Sequence, residues 1–268
     1  MTDVIKPSCD RKTRNWKGQR KTFGLLPVVT CPGATHGEGG CCWIKKGCKN
    51  MVCYVDGLMK AYVGVKNVLK HNTDIMMNAP QDEMQDMMET EFARFRSAEF
   101  RRASRLKDYE PFLNYRIHWS GDFFSNEYAR AAVNAMWSFP DIKFWAYTRT
   151  FNVLPILSVV DNLSMYVSLD ACNMCDGMTA YYKYHDMFYK DNLRVCYLSP
   201  TKSNDFMERW TAARKHATKL DIDWPVKPPK LQTCPCDAGT MNMEGVCTKC
   251  QRCLWKKTQN SPNIWFCP

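Results

Sequence analysis

Long apolar runs are missing from this sequence. The longest, such as Val153–Val160, are far too short to cross a bilayer, so no membrane span is expected. The first twenty residues are charged and hold no apolar stretch, so no export signal is expected and the expected location is the cytoplasm. No internal repeat or low-complexity tract is present, which speaks against solenoid and tract-like architectures.

The expectation of no export signal changes the meaning of the cysteines. The chain carries 15 of them in 268 residues. A secreted disulfide framework needs an oxidising compartment, whereas the cytosol keeps thiols reduced. Clustered cysteines in a reducing compartment are more often metal ligands or catalytic groups than cross-links. Eleven of the fifteen fall into two short clusters, in residues 31–53 and 234–267.

With 45% hydrophobic and 13% aromatic residues, the chain can bury a sizeable core. It fits one large domain with an appendage, or two small ones. The formal charge is +10. Half of that excess sits in a basic arm, residues 1–22, where seven Lys/Arg face two Asp. Such an arm suits nucleic acid phosphates or another acidic partner, and equally a solvated tail that aids solubility.

Residues 23–224 read as an α/β domain. Phe23–Thr30 is a short apolar run expected as a buried strand, leading into a Gly/Cys-rich loop over residues 31–53. A helix is expected over Val52–Leu69. A second, over Asp82–Lys107, has a Met84, Met87, Met88, Phe92, Phe95 core stripe and an arginine-rich solvated face. Strands are expected at Tyr115–Trp119, Ile142–Tyr147, Leu163–Leu169 and Leu193–Leu198. Helices are expected after Ser125, within Val153–Val160, and over Asn204–Leu220. Alternating strands and helices predict a parallel sheet or partial (β/α) barrel. Pro225, Pro228 and Pro229 then open a cysteine-rich C-terminal extension, residues 225–268, with too little apolar content to order itself without a metal or docking.

In the first cluster, Cys31, Cys41, Cys42, Cys48 and Cys53 lie between an expected strand and an expected helix, among glycines that let the backbone wrap a bulky inorganic group. Sulfur-rich cages favour zinc or iron–sulfur over hard cations. The candidate ligands are Cys31, Cys42, Cys48 and Cys53, with the choice among Cys41, Cys42 and Cys48 open. Three thiolates on a four-iron (4Fe-4S) cluster leave one iron open to a cofactor; four close it. In the second cluster, Cys247, Cys250 and Cys253 follow at successive x2 spacing, with Cys234 or Cys236 as a fourth ligand. That run is more like an iron–sulfur site than a zinc ribbon, which pairs separated knuckles, and zinc is the alternative there. Cys172 and Cys175 form a third pair that cannot close a site alone but could support thiol redox chemistry.

Three strand ends deliver polar residues to one expected rim: His118, Ser120, Gly121 and Asp122; then Thr148 and Arg149; then Ser168 and Asp170. The carboxyl edge of a parallel sheet is where ligands bind in α/β folds.

CPGAT at Cys31–Thr35, CYV at Cys53–Val55, YRIHWSGDF at Tyr115–Phe123, PDIKFWAYTRTF at Pro140–Phe151, NLSMYVSLD at Asn162–Asp170 and the Cys234–Trp255 pattern carry a resemblance to the phage Gene product 88 domain family. It spans about residues 23–255 and implies a phage or prophage origin without supplying a reaction. The layout also resembles radical S-adenosylmethionine enzymes, in which a cysteine loop after the first barrel strand holds a four-iron cluster. Ser120-Gly121-Asp122 is similar to the small-small-acidic turn that contacts the cofactor in that group, and Ser168 and Asp170 to a later strand end. The compact C-x3-C-x2-C spacing is absent. This resemblance implies S-adenosylmethionine held by Ser120, Gly121, Asp122 and Ser168, and His118, Arg149 and Asp170 facing the substrate. It also implies one or two 4Fe-4S clusters and an external electron donor.

Overall fold

The computed structural model describes residues 4–8, 22–44, 53–189, 192–199, 205–234 and 263–266. In chain order its elements are α1 (Tyr54–Ala61), α2 (Val63–Asn78), α3 (Gln81–Ala103), β1 (Asn114–Arg116), α4 (Asn126–Trp137), β2 (Lys143–Thr148), α5 (Leu154–Leu157), β3 (Leu163–Leu169), α6 (Met174–Tyr184), β4 (Leu193–Leu198), α7 (Phe206–Lys219), β5 (Leu231–Thr233) and β6 (Asn263–Phe266).

The strands form one six-stranded sheet in the order β1-β2-β3-β4-β6-β5, and every pairing is parallel. The expected parallel α/β sheet is therefore present, and among the described residues it does not close into a barrel. Each of the first four strands lies beside its predecessor, and helices α3 to α7 pack in sequence along one side. Alternate residues of a strand face opposite sides. Phe144, Ala146, Met165, Val167, Leu169 and Val195 enter the large core shared with these helices. Tyr166, Cys196 and Ile264 form a separate cluster on the other face.

Local sequence explains the helices. Ser125 caps α4 by accepting the Tyr128 N–H at 3.1 Å, as expected of a serine before an amphipathic run. In α3, Met84, Met87, Met88, Phe92 and Phe95 are buried, and Asp82 and Glu83 at its start and Arg101 and Arg102 at its end complement the helix dipole. Its arginine face is not uniformly solvated: Arg102 is buried, its guanidinium 4.4 Å from the Tyr109 ring centre.

Several boundaries differ from expectation. The expected helix over residues 52–69 breaks at Tyr62, whose extended backbone separates α1 from α2. Within Phe23–Thr30, only the beginning behaves as a strand: Thr22 bridges Arg116 in parallel, Trp119 N–H donates to the Phe23 carbonyl, and Leu25 N–H donates to the Ser120 carbonyl. Residues 27–30 are a turn, with Val28 at φ +71°. Within the basic arm, Val4–Ser8 is docked rather than solvated. Ile5 is buried, and Asn72 of α2 accepts from the Lys6 N–H and donates to its carbonyl. The cysteine-rich extension supplies β5 and β6, and β6 enters the sheet between β4 and β5. Cys48, Cys236, Cys247, Cys250 and Cys253 lie outside the described residues. Among the described residues, no helix is long and apolar enough to cross a membrane.

Candidate metal centre

The carboxyl ends of β1, β2 and β3 converge beneath the cysteine loop. After β1 the chain turns through His118 and Gly121, both in the left-handed region (φ +57° and +86°). A Cβ on Gly121 would stand 2.7 Å from both Leu25 Cβ and Thr30 Oγ1, so the close approach of the two segments requires glycine there. Ser120 Oγ donates to the Leu25 carbonyl at 2.8 Å, and Asp122 N–H donates to the Thr30 carbonyl at 3.0 Å. The strand-like segment before Cys31 is thereby fixed to the β1 turn.

Asp122 is buried and accepts three hydrogen bonds at 2.7 Å, from Phe123 N–H, Thr148 Oγ1 and Arg149 N–H. Burial pushes its carboxyl up to about 6, against the pull of those donors. Asp170, at the end of β3, is fully buried. Its Oδ2 accepts from Thr35 Oγ1 at 2.6 Å, Cys41 N–H at 3.0 Å and Arg149 Nη1 at 2.5 Å. Its Oδ1 accepts from the N–H groups of Cys172 and Asn173. Asn173 in turn accepts from Asp170 N–H and donates to the Ser168 carbonyl, which is the contact made by the backbone of half-buried Ser168.

The loop folds around Thr35, whose carbonyl accepts from Cys42 N–H at 2.8 Å and whose Oγ1 accepts from Cys41 N–H at 3.0 Å. Gly33 lies against β2: a Cβ there would come within 2.0 Å of the Arg149 carbonyl oxygen.

These contacts gather Cys31, Cys41, Cys42 and Cys53. The sulfurs of Cys41 and Cys42 are 3.8 Å apart, and the Cys42 thiol also hydrogen-bonds Cys53. The Cys42 hydrogen bond, aided by Arg149 and opposed by burial, lowers the Cys41 thiol to about 5. Cys53 is lowered to about 7, chiefly by the same Cys42 thiol, with help from amides at the start of α1. Cys42, hydrogen-bonded to both of these thiols and buried, is raised. Burial, then Asp122, pushes Cys31 up to about 12. No disulfide joins these four. As the chain stands, no group of three or more His, Cys, Asp and Glu among the described residues has metal-holding geometry. The thiols are arranged around Cys42 as hydrogen-bond partners.

Other expected residues lie elsewhere. His118 is 3% exposed, below the rim. Its Nε2 is 2.6 Å from Tyr128 OH, and its ring packs edge-on to Phe23 and Phe123. Burial, then Arg116, lowers it to about 3, so it is a neutral packing residue rather than a group facing an open site. Cys172 faces the Glu38 carbonyl in the loop, whereas Cys175 faces the Ala213 carbonyl of α7, so the two thiols address different partners. Cys234 packs beside Tyr166, Cys196 and Ile264. Thr35 and Asn173 received no role from the sequence, and Thr148 was placed only at the expected rim. Only its place in a quoted motif marked Thr35, because its contact with Asp170 spans 135 positions of chain.

Fold and site together define a parallel α/β protein with an unclosed sheet and a thiol cluster at its carboxyl rim. The chain belongs to the Gene product 88 family, whose description matches residues 6–257. It is 32% identical over 177 residues to the Gene 88 protein of Mycobacterium phage L5, covering 63% of this chain and 70% of that protein. The Gene 88 protein of Mycobacterium phage D29 is likewise 32% identical over 177 residues, covering 63% and 69%. No solved structure matches.

Proposed function

We propose that this chain is a phage-encoded iron–sulfur protein of the host cytoplasm, acting as a radical S-adenosylmethionine-like enzyme. The observation that carries the proposal is the gathering of Cys31, Cys41, Cys42 and Cys53 beside Asp122 at the carboxyl rim. The donor set fits a thiophilic group: two of the four thiols are biased toward thiolate, the ligating form. Two sulfurs on one tetrahedral ion at ~2.3 Å stand ~3.8 Å apart, which is the spacing Cys41 and Cys42 already have. Cys31, Cys53 and one or both of Cys41 and Cys42 would hold the group. If held there, a four-iron cluster would pass on an electron from an external donor for reductive cleavage of S-adenosylmethionine.

This chain's own residues do the rest. Asp122 is held rigidly by three donors beside the thiols and would receive the cofactor's amino group. Ser120, through its hydroxyl and carbonyl, and Gly121, through its lack of a Cβ, fix that turn against Leu25 and Thr30. Asp170 and Arg149 would orient the loop rather than touch the reacting atoms, because both are committed to Thr35, Cys41 and each other.

The test is anaerobic purification and reconstitution, followed by iron, sulfide and 5′-deoxyadenosine assays. An intact cluster without cofactor cleavage would remove the enzyme reading. A second reading is a non-catalytic zinc or iron–sulfur module that binds nucleic acid or a host protein. It is favoured by the same Cys41–Cys42 spacing, which suits a single ion. Stoichiometric zinc, with nucleic acid binding that weakens steeply in salt, would select it.

A further inference from the structure

We infer that the sheet face opposite helices α3 to α7 holds a buried oxyanion-binding site, with Arg194 as its donor. Joined to the enzyme reading, on which this step rests, the site takes a substrate bearing a phosphate or carboxylate.

The strands put this chemistry on one face. Tyr166 on β3 pairs with Arg194 on β4, and Trp145 on β2 pairs with Arg116 on β1 and Ser164 on β3. These residues are out of phase with Phe144, Met165 and Val195, which enter the core shared with the helices. The guanidinium of Arg194 lies 4.8 Å from the Tyr166 ring centre. The Tyr147 and Tyr166 rings are 5.2 Å apart, and Arg116 lies 5.1 and 5.4 Å from the rings of Trp145 and Tyr147. The result is a continuous aromatic platform with a guanidinium at each end.

Arg194 is 5% exposed, yet only one of its nitrogens has an acceptor: Nη2 donates to Ser164 Oγ, while Nε and Nη1 have none. Stacking on Tyr166 satisfies the flat face of the cation and leaves its in-plane N–H groups unmet. A buried donor without an acceptor is costly, and a buried charge is kept when a counter-charge meets it. No carboxylate among the described residues is paired with Arg194. Asp122 and Asp170, at the rim above, take their hydrogen bonds from other groups. Phosphate and carboxylate oxygens are the acceptors that guanidinium geometry fits best.

The experiment follows thermal unfolding of the full chain, purified anaerobically, during titration with inorganic phosphate or succinate against chloride at equal ionic strength. The wild type, Arg194→Gln and Arg194→Lys are compared. The general stabilising effect of phosphate is common to all three, so the difference between proteins is the readout. A saturable upward shift is expected in the wild type, weakened at least tenfold in midpoint concentration in R194Q and less in R194K. A shift of equal size and midpoint in R194Q overturns the inference. If R194Q does not fold, hydrogen exchange on the wild type decides. Phosphate or succinate should slow exchange at least threefold in residues 193–198 and leave residues 206–219 unchanged, and unchanged exchange in 193–198 overturns it. Neither readout involves S-adenosylmethionine, so failure of cofactor cleavage and failure of anion binding are separate results.

Discussion

Arg149 Nη1 stands 2.5 Å from Asp170 Oδ2, joining the ends of neighbouring parallel strands β2 and β3 beneath the cysteine loop. The pair does more than neutralise itself, because the same Asp170 oxygen also accepts from Thr35 and Cys41. Asp170→Ala therefore strands a buried guanidinium and two loop donors at once. Removing one partner of a buried pair costs about 3–5 kcal/mol. Urea unfolding of D170A should report a loss of that size, and Arg149→Met, which leaves Asp170 its other four donors, should lose less.

The thiol cluster gives a prediction about metal. Cys31→Ser, Cys41→Ser, Cys42→Ser and Cys53→Ser should each reduce iron or zinc bound at the rim after anaerobic loading, whereas Cys175→Ser, whose thiol faces α7, should not. Anything that binds only the folded state stabilises it by mass action. Stripping the metal with a chelator should therefore lower the unfolding temperature of the wild type and leave C42S nearly unchanged.

Much of this arrangement was legible in the sequence. Strands β2, β3 and β4 were expected within a residue or two, because their runs are short, apolar and bounded by turn residues. The parallel sheet followed from their alternation with helices. The rim positions Asp122, Arg149 and Asp170 were found from strand ends alone. The burial of His118 was not legible, since one histidine in a polar turn looks the same whether it points to a rim or into the nest of Phe23, Phe123 and Tyr128. Strand β6 was hidden for another reason: Asn263–Phe266 has only four residues, and its partners on β4 lie about seventy positions earlier. Arg194 was read only as part of a strand, because its missing acceptors are a property of the fold.

That aromatic nest carries a pH prediction. The folded pKa of His118 is lowered to about 3 from 6.5. Between those values the unfolded chain binds a proton that the folded chain does not. Stability from this residue is therefore complete above pH 6.5 and falls as pH drops through the window, by about 1.4 kcal/mol per unit. Tyr128 and Arg116 are the titratable and charged groups facing the ring, and neither changes charge there. His118→Asn, which tolerates a left-handed backbone, should lose about 2 kcal/mol less than the wild type between pH 6.5 and 5 in urea unfolding.

Two glycines should respond oppositely to the same change. Gly33 touches the end of β2 so closely that an added Cβ would lie 2.0 Å from the Arg149 carbonyl oxygen, and 2.4 Å from its carbon. Backbone cannot yield as a side chain tip can, so Gly33→Ala must lift the loop that carries Cys31 and Cys41. Overpacking of this kind costs about 1–3 kcal/mol. Gly64 sits in the first turn of α2 with nothing within 4 Å of an added Cβ. Gly64→Ala only restricts the unfolded chain and favours the helix, a gain of about 0.5 kcal/mol. If the loop seats the rim metal, G33A should also lower its occupancy while G64A leaves it unchanged. Parallel unfolding and metal analysis of the two variants separate a local effect at the β2 end from general sensitivity to alanine. Equal metal content in both, with G33A as stable as the wild type, would mean that the loop does not rest on Arg149 in the way described.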